Sequence, residues 1–405
     1  MSLRNDLIEG IPSYCTGNIL VIRSLMRLYR KFPNRKLLIE ATANQVNQFG
    51  GYTGKSPLDF KREVLHEAQL LGFSESKLIF GGDHLGPLVW QDSEPNEAMD
   101  RAVDLVREFA NAGYQKIHLD TSMPLGEERG KFFSTKTIAE RGLRLYKACE
   151  QSNTANDIAY IIGSEVPVPG GETSCNALSV TRPEDAMRTI EIYKTVFYEG
   201  GVSEQEFDEK ICALVVQPGV EFTKDKVFYY KSEDAQELVG IDKSGLIFEG
   251  HSTDYQKASC LKEMVNDGIK ILKVGPELTY MLRIALEKLE FIEEHVVSSK
   301  NRSFFTDALI EQMKLNSKYW VKYYSADSSK DFLCSYLDRS RYYLNTPVVL
   351  NAIEKMGENL RAPIDSCLLY KSLPEIEIQN RDNIFERVVD YYIGLVVEKY
   401  ENAFS

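Results

Sequence analysis

Short runs of nearly continuous apolar residues alternate along this chain with longer stretches whose apolar positions recur every three or four residues. The runs fall at 11–15, 37–41, 78–82, 116–120, 159–165, 213–217, 246–251 and 271–275. Each is too short for a buried helix and lacks strict polar alternation, as in parallel strands covered on both faces. The intervening stretches, such as 95–112, 135–150 and 183–199, have helical spacing. So do 59–71 and 254–267, with Gly72 and Gly268 just past their ends as stops. Eight strand–helix units predict an α/β fold, a TIM-type (β/α)₈ barrel closed by a helix over 277–296. A glycine-rich dinucleotide loop after the first strand, which an open Rossmann sheet would carry, is missing.

Beyond about residue 299 the strand-like runs stop. Aromatic-rich helical segments follow at 307–324, 346–359 and 384–400, the last with Val388, Tyr391, Leu395 and Val396 at helical spacing. Thr346-Pro347 reads as a helix start, with a hydroxyl cap before a proline in the first turn. The expected organisation is a barrel domain over 1–298 and a C-terminal helical extension over 299–405 packed on it. The extension is the expected interface of a homo-oligomer.

Composition narrows the functional classes. The 405 residues carry a formal charge of −12, which argues against nucleic acid. No apolar run approaches the roughly 20 residues that span a bilayer, and residues 1–10 lack an apolar signal core. The seven cysteines are scattered, odd in number and without CxxC spacing, as for reduced thiols. The expectation is a cytoplasmic protein with no membrane or nucleic-acid partner.

The chemistry gathers at the C-terminal ends of the runs, where (β/α)₈ barrels place their active sites. Three of the five histidines lie there: His84, His118 and His251. GGDHLGP (81–87) offers a carboxylate beside an imidazole, with two glycines letting the backbone approach a ligand. Imidazole suits Zn²⁺, Mn²⁺ or Co²⁺-type ions, and Asp83 can move a proton. IHLDTSM (117–123) puts His118 and Asp120 on one side of a strand. IGSEVPVPGG (162–171) sends Glu165 into a Pro/Gly loop, as metal ligand or base. FEGHSTD (248–254) ends on His251. We therefore group His84, Glu165 and His251 as a mixed nitrogen/oxygen metal site with open positions. Asp83, Asp120 and Glu165 are the acid–base candidates. Glu40, Asn44, His118, Gln217 and Lys273, at or just past strand ends, are expected to bind substrate. Lys273 could instead form a Schiff base, bind phosphate or pair with an acid. Gly275-Pro276 opens a helix whose N-terminus could hold phosphate, and GGYTGK (50–55) reads as a lid, lacking P-loop spacing.

The segments LIEATANQVNQFGGYTGKSPLDF, GGDHLGP, KIHLDTSM, IGSEVPVPGG, FEGHSTDYQ and DRSRYYL together resemble the GatZ/KbaZ family, from about residue 10 to beyond 370. Its members are described as the non-catalytic subunit of class II tagatose-bisphosphate aldolase, and formerly as tagatose-6-phosphate kinases. No nucleotide loop or kinase signature supports the kinase label here. Some relatives are ketohexose-6-phosphate 4-epimerases. The resemblance implies a barrel, a divalent metal (Zn, Mn or Co) and a ketohexose phosphate substrate. By similarity to catalytic class II aldolases, it implies that Asp83 handles protons and His84 binds metal. Arg339 and Arg341 in DRSRYYL would anchor phosphate, or else pair with Asp338. Two activities are then expected alternatives. One is C4 epimerisation of tagatose 6-phosphate to fructose 6-phosphate by retro-aldol and aldol steps. The other is an accessory role, stabilising a class II D-tagatose-1,6-bisphosphate aldolase catalytic subunit.

Overall fold

In the computed structural model the described residues are 3–131, 133–152, 157–164, 180–324, 329–377 and 383–405. Eight parallel strands close a barrel: β1 (Ile11–Cys15), β2 (Leu37–Thr42), β3 (Leu78–Leu85), β4 (Lys116–Leu119), β5 (Ala159–Ile162), β6 (Ile211–Val216), β9 (Ile247–Gly250) and β10 (Ile269–Val274). The remaining two strands, β7 (Glu221–Phe222) and β8 (Val227–Phe228), form an antiparallel hairpin outside the barrel. β1 pairs with both β10 and β2, which completes the ring. The apolar runs became strands because helices such as Pro95–Asn111, Thr135–Glu150 and Pro183–Glu199 cover their outer faces.

The barrel interior is layered. Its lower part is apolar, built from Ile11, Leu38, Ile79, Ile161, Val215 and Ile271. A short helix that the sequence reading missed, Leu3–Glu9, belongs to the same cluster through the fully buried Leu7. Its Arg4 donates to the carbonyls of Glu209, Ile211 and Gly245 at 3.2–3.3 Å. Above this apolar floor the interior turns charged, and there the site begins.

After the closing helix Pro276–Val296 the described residues form only helices and turns. The long helix Ile384–Ala403 lies on the barrel helices, tied by a two-pronged Arg27–Asp390 pair with both bonds at 2.7 Å. It also reaches the site: Tyr400 donates to the Thr253 carbonyl at 2.7 Å, and Lys399 pairs with Glu277 at 2.6 Å.

Four details differ from the sequence reading. The segment expected as one helix over 307–324 is a helix Phe305–Leu315 followed by a separate turn at Ser317–Tyr319. The helix expected from residue 254 starts at Ala258, because Asp254 is engaged elsewhere. Thr346 does not cap its helix, since its hydroxyl donates to the Tyr343 carbonyl at 2.8 Å. Leu395 faces outward, its neighbours Val396 and Val397 filling the buried stripe instead. Among the described residues no helix is long and apolar enough to cross a membrane, and the six cysteines are free.

Candidate functional site

The site is built on a conflict in β3. Neighbouring strand residues point to opposite faces, yet Asp83 and His84 both line one cavity. The backbone resolves this with an irregularity: the β3–β4 register shifts between Gly82 and Leu85, and His84 adopts φ 48°. A left-handed histidine is uncommon, and such strain persists where the surroundings impose it. The glycines of this motif answer to packing rather than to a ligand. A Cβ on Gly81 would lie 2.7 Å from Glu40 Oε1, and one on Gly86 would lie 1.7 Å from the Asp120 carbonyl oxygen.

Three imidazoles meet above the apolar floor. The ring centres of His84, His118 and His251 are 4.9–5.2 Å apart, nearly an equilateral triangle. Asp83 and the three histidines can each offer a ligand atom within 4.8 Å of the others. One nitrogen of each ring is held by its own carboxylate. His84 Nδ1 meets Asp120 at 2.7 Å, His118 Nδ1 meets Asp83 at 2.9 Å and His251 Nε2 meets Glu249 at 2.8 Å. Carboxylates on the far nitrogen orient and enrich imidazole ligands at metal centres. His84 Nε2, His118 Nε2 and His251 Nδ1 are the nitrogens left over. His118 Nε2 is buried without a hydrogen-bond partner, a costly arrangement for a protein that never fills it.

Beneath the rings lies a layer of buried charge. Lys116, fully buried, sits 2.6 Å from Glu40 and 2.8 Å from Glu249. Lys273 pairs with the other Glu40 oxygen and lies 2.6 Å from Asp83. Among the described residues, Glu40, Asp83, Asp120 and Glu249 face two ammonium groups, Lys116 and Lys273. With the three imidazoles neutral, as ligands would be, the surplus of two negative charges suits one divalent cation. Together with the orphaned His118 nitrogen, it means that the residues present fit a metal ion. His84, His118 and His251 would hold it.

The electrostatics follow from this packing. Burial alone would raise Asp83, but His84 and Lys273 hold it well below the usual carboxylate range. Asp120 is lowered against burial by its bond to His84, and Glu249 by Lys116 and Lys273. Burial pushes His251 down to about 4, against the opposing pull of Glu249. Burial also opposes the charge on His84, yet Asp83 and Asp120 raise it. Carboxylates lowered in the folded state contribute stability that is fully present above the unfolded value of about 4 and is lost progressively as pH falls from there through their lowered folded values. The neutral His251 acts in the same sense, losing stability as pH falls below about 6.5. His84, being raised, opposes this and contributes most below that value. Metal-free protein is expected to show urea midpoints that drop steeply below about pH 4, with a shallower drop in Asp120→Asn. A flat profile through that window would contradict the assigned charge states.

Above the rings a cavity of about 730 Å³, including its open mouth, is lined by barrel and extension together. Asp83, His84, His251 and Lys273 come from strand ends, and Asn44 and Tyr52 from the loop after β2. Phe222 comes from the hairpin, and Arg341 and Tyr342 from the extension.

The structure sorts the expected residues. It unites Asp83, His84, His251, Lys273, Asn44 and Arg341 at the cavity. Glu40 and His118, expected to bind substrate, lie buried beneath it. Asp120 is occupied by His84 and by Ser122, which donates to it at 2.7 Å. Gln217 does not line the cavity; its side-chain oxygen accepts the Gly219 and Val220 N–H groups at 2.9 and 3.0 Å, closing its own turn. Lys273 is ion-paired, the bland alternative to a Schiff base. The helix N-terminus at Gly275-Pro276 is taken by Asp254, which accepts the Gly275 and Glu277 N–H groups at 2.9 and 2.8 Å. Arg339 is buried outside the cavity lining, its guanidinium 3.3 Å from the centre of the Tyr323 ring. Asp338 pairs with Arg283 at 3.5 Å, and neither Arg339 nor Arg341 forms a carboxylate ion pair among the described residues. Glu165 lies outside the described residues; the cluster of candidate ligands among the described ones is Asp83, His84, His118 and His251.

Sequence reasoning passed over Lys116, Glu249, Cys15 and Tyr342. The first two carried a usable signal. Each stands two positions before a histidine in an apolar strand, hence on the same face, and a charge inside such a strand requires a partner.

A model of the family described as D-tagatose-1,6-bisphosphate aldolase subunit GatZ/KbaZ-like matches residues 3–405. The chain belongs to this family. A D-tagatose-1,6-bisphosphate aldolase subunit GatZ of Escherichia coli strain SMS-3-5 is 41% identical over 359 residues, 87% of this chain and 84% of that protein. A solved structure from Sinorhizobium meliloti 1021, described as a probable tagatose 6 phosphate kinase, is 34% identical with a TM-score of 0.85. It covers 97% of this chain and 100% of its own. The fructuronate-tagaturonate epimerase UxaE of Cohnella laeviribosi, 13% identical with a TM-score of 0.52, matches 97% of this chain and 81% of its own, and shares the fold. Membership of the GatZ/KbaZ-like family places the chain in carbohydrate metabolism.

Proposed function

We propose that this chain is a metal-dependent 4-epimerase of a ketohexose phosphate, interconverting tagatose 6-phosphate and fructose 6-phosphate. The observation that carries the reading is the imidazole triangle, each ring backed by a carboxylate, opening onto a cavity that also receives Arg341. A scaffold has no use for four buried carboxylates around orphaned imidazole nitrogen.

A divalent ion held by His84, His118 and His251 would supply positive charge for the negative charge that develops on the substrate oxygens. Asp83, kept ionised at the cavity wall, takes the C4 hydroxyl proton. The C3–C4 electron pair moves onto C3 and the C2 carbonyl, leaving an enediolate and an aldehyde. Turning the aldehyde before the bond re-forms inverts C4. Lys273, held between Glu40 and Asp83, keeps an ammonium beside these oxygens. Arg341 holds the phosphate: it lines the cavity with no carboxylate ion pair among the described residues, its guanidinium fixed by bonds from Nη1 to the Leu337 and Asp338 carbonyls and from Nη2 to the Tyr342 hydroxyl. Arg341→Met is expected to raise KM roughly 10–100-fold, the worth of charge-assisted hydrogen bonds. That loss should vanish with unphosphorylated tagatose; an equal loss with both sugars would refute the anchor.

The second reading, an accessory subunit of class II D-tagatose-1,6-bisphosphate aldolase, is favoured by the family's description. The purified chain with tagatose 6-phosphate and Mn²⁺, Zn²⁺ or EDTA separates the two. Metal-dependent appearance of fructose 6-phosphate supports the epimerase. Its absence with every metal, alongside activation or stabilisation of an added class II aldolase, supports the subunit.

A further inference from the structure

An epimerase of this kind needs two proton-handling groups, one for each configuration at C4, and Asp83 is only one. The remaining groups at the cavity narrow quickly. Burial raises Asp254 to about 7, but its Oδ1 is held by the Gly275 and Glu277 N–H groups and it stands at a strand end on the barrel side, with Asp83. Burial pushes the Cys15 thiol well above its ordinary range. Tyr52 is raised by burial and by the neighbouring Tyr342. Tyr342 differs from all of these. Its phenol oxygen accepts from Arg341 at 3.1 Å and from Arg339 at 3.3 Å. Its ring is fixed between Tyr319, stacked at 4.5 Å, and Tyr52, edge-on at 4.7 Å. Burial would raise the phenol, but the two guanidiniums outweigh it and hold Tyr342 below its ordinary value. With both oxygen lone pairs taken by arginines, the phenol proton is the group's one donor to a ligand.

We propose that Tyr342 is the second acid–base residue, serving the C4 oxygen from the extension side of the cavity while Asp83 serves it from the barrel side. This inference rests on the epimerase reading above. From one epimer Asp83 takes the C4 hydroxyl proton, the C3–C4 pair passes to the enediolate, and the aldehyde turns. The enediolate pair then adds to the other aldehyde face, and the new C4 alkoxide takes the proton of Tyr342. Asp83 ends protonated and Tyr342 ionised, and proton exchange with solvent restores both. The reverse reaction uses the same groups in exchanged roles. The extension is then a part of the active site, since it contributes a reacting group.

Tyr342→Phe preserves the stacked ring and removes only the oxygen. Wild type and variant are compared with tagatose 6-phosphate and with fructose 6-phosphate, following epimer formation and glyceraldehyde 3-phosphate release. The expected result is a kcat for epimerisation reduced by roughly 10²–10⁴-fold with KM little changed. Glyceraldehyde 3-phosphate release should persist from one epimer only, the one that Asp83 deprotonates. A variant with near-wild-type kcat, or with a changed KM alone, overturns the assignment and leaves the epimerase reading standing. A wild type that interconverts neither sugar overturns the epimerase reading and Tyr342's role with it.

Discussion

His84→Ala and His251→Ala variants are each expected to lose metal binding and, with it, turnover of tagatose 6-phosphate. Each ring is fixed on its far nitrogen by a buried carboxylate, Asp120 or Glu249, so its free nitrogen is aimed rather than adaptable. Losing one of three nitrogen ligands leaves a two-point site. Metal polarisation is worth several kcal/mol of transition-state stabilisation, so the rate is expected to fall roughly 10³-fold or more. Metal content after dialysis reads the binding loss independently of activity. The exposed histidines His66 and His295 supply the control, because their alanine variants should keep both metal and rate. Glu249→Gln should produce an intermediate loss of about 10–100-fold in metal affinity, the usual worth of a residue behind a ligand. Full metal content and full rate in folded His251→Ala would remove the triangle from the mechanism.

Lys116→Met is expected to be the most destabilising conservative-volume change in the barrel. The ammonium is fully buried and bridges Glu40 and Glu249. Its removal leaves Glu40 with Lys273 alone and Glu249 with His251 and a more distant Lys273, in a layer that water does not reach. Breaking a buried pair from one side costs about 3–5 kcal/mol, readable as a lower urea midpoint with unchanged slope. The double variant Lys116→Met with Glu249→Gln should recover part of the loss, because the two changes share one interaction. A loss below about 1 kcal/mol, the scale of exposed pairs, would mean that the layer is hydrated. The same layer ties stability to function: Lys116 holds Glu249, and Glu249 holds His251.

The strand–helix rhythm was legible in the sequence because parallel barrel strands are apolar on both faces, and that pattern needs no knowledge of neighbours. It placed all eight barrel strands to within a few residues and found His84 and His251 as strand-end chemistry. The carboxylate behind each ring was not legible. Asp120 serves His84 from the next strand, and Asp83 serves His118 across the β3–β4 pair, and periodicity does not report register. Glu249 was passed over although it stands two positions before His251, because an acid within an apolar run reads as an ordinary strand residue until the strand is known to face inward. The substrate role expected for His118 became a place in the ring cluster for the same reason of depth: its layer lies below the mouth.

Local chemistry also misled where an acid or an amide had nearer business. Asp254 caps the helix that was expected to greet a phosphate, and Gln217 closes its own turn. Gln217 is captured by backbone donors two and three residues on, whereas the donors to Asp254 stand at the next strand–helix junction, a partner invisible without the path of the chain. By itself, then, the sequence determined the number and order of the elements and the residue types available at the barrel mouth. These depend on apolar spacing, a property of the chain alone. Only the tertiary structure decided which nitrogens stay free, which charges balance and that the extension returns Arg341 and Tyr342 to the same cavity. Those outcomes depend on ring closure and on contacts between residues hundreds of positions apart, which no local pattern encodes.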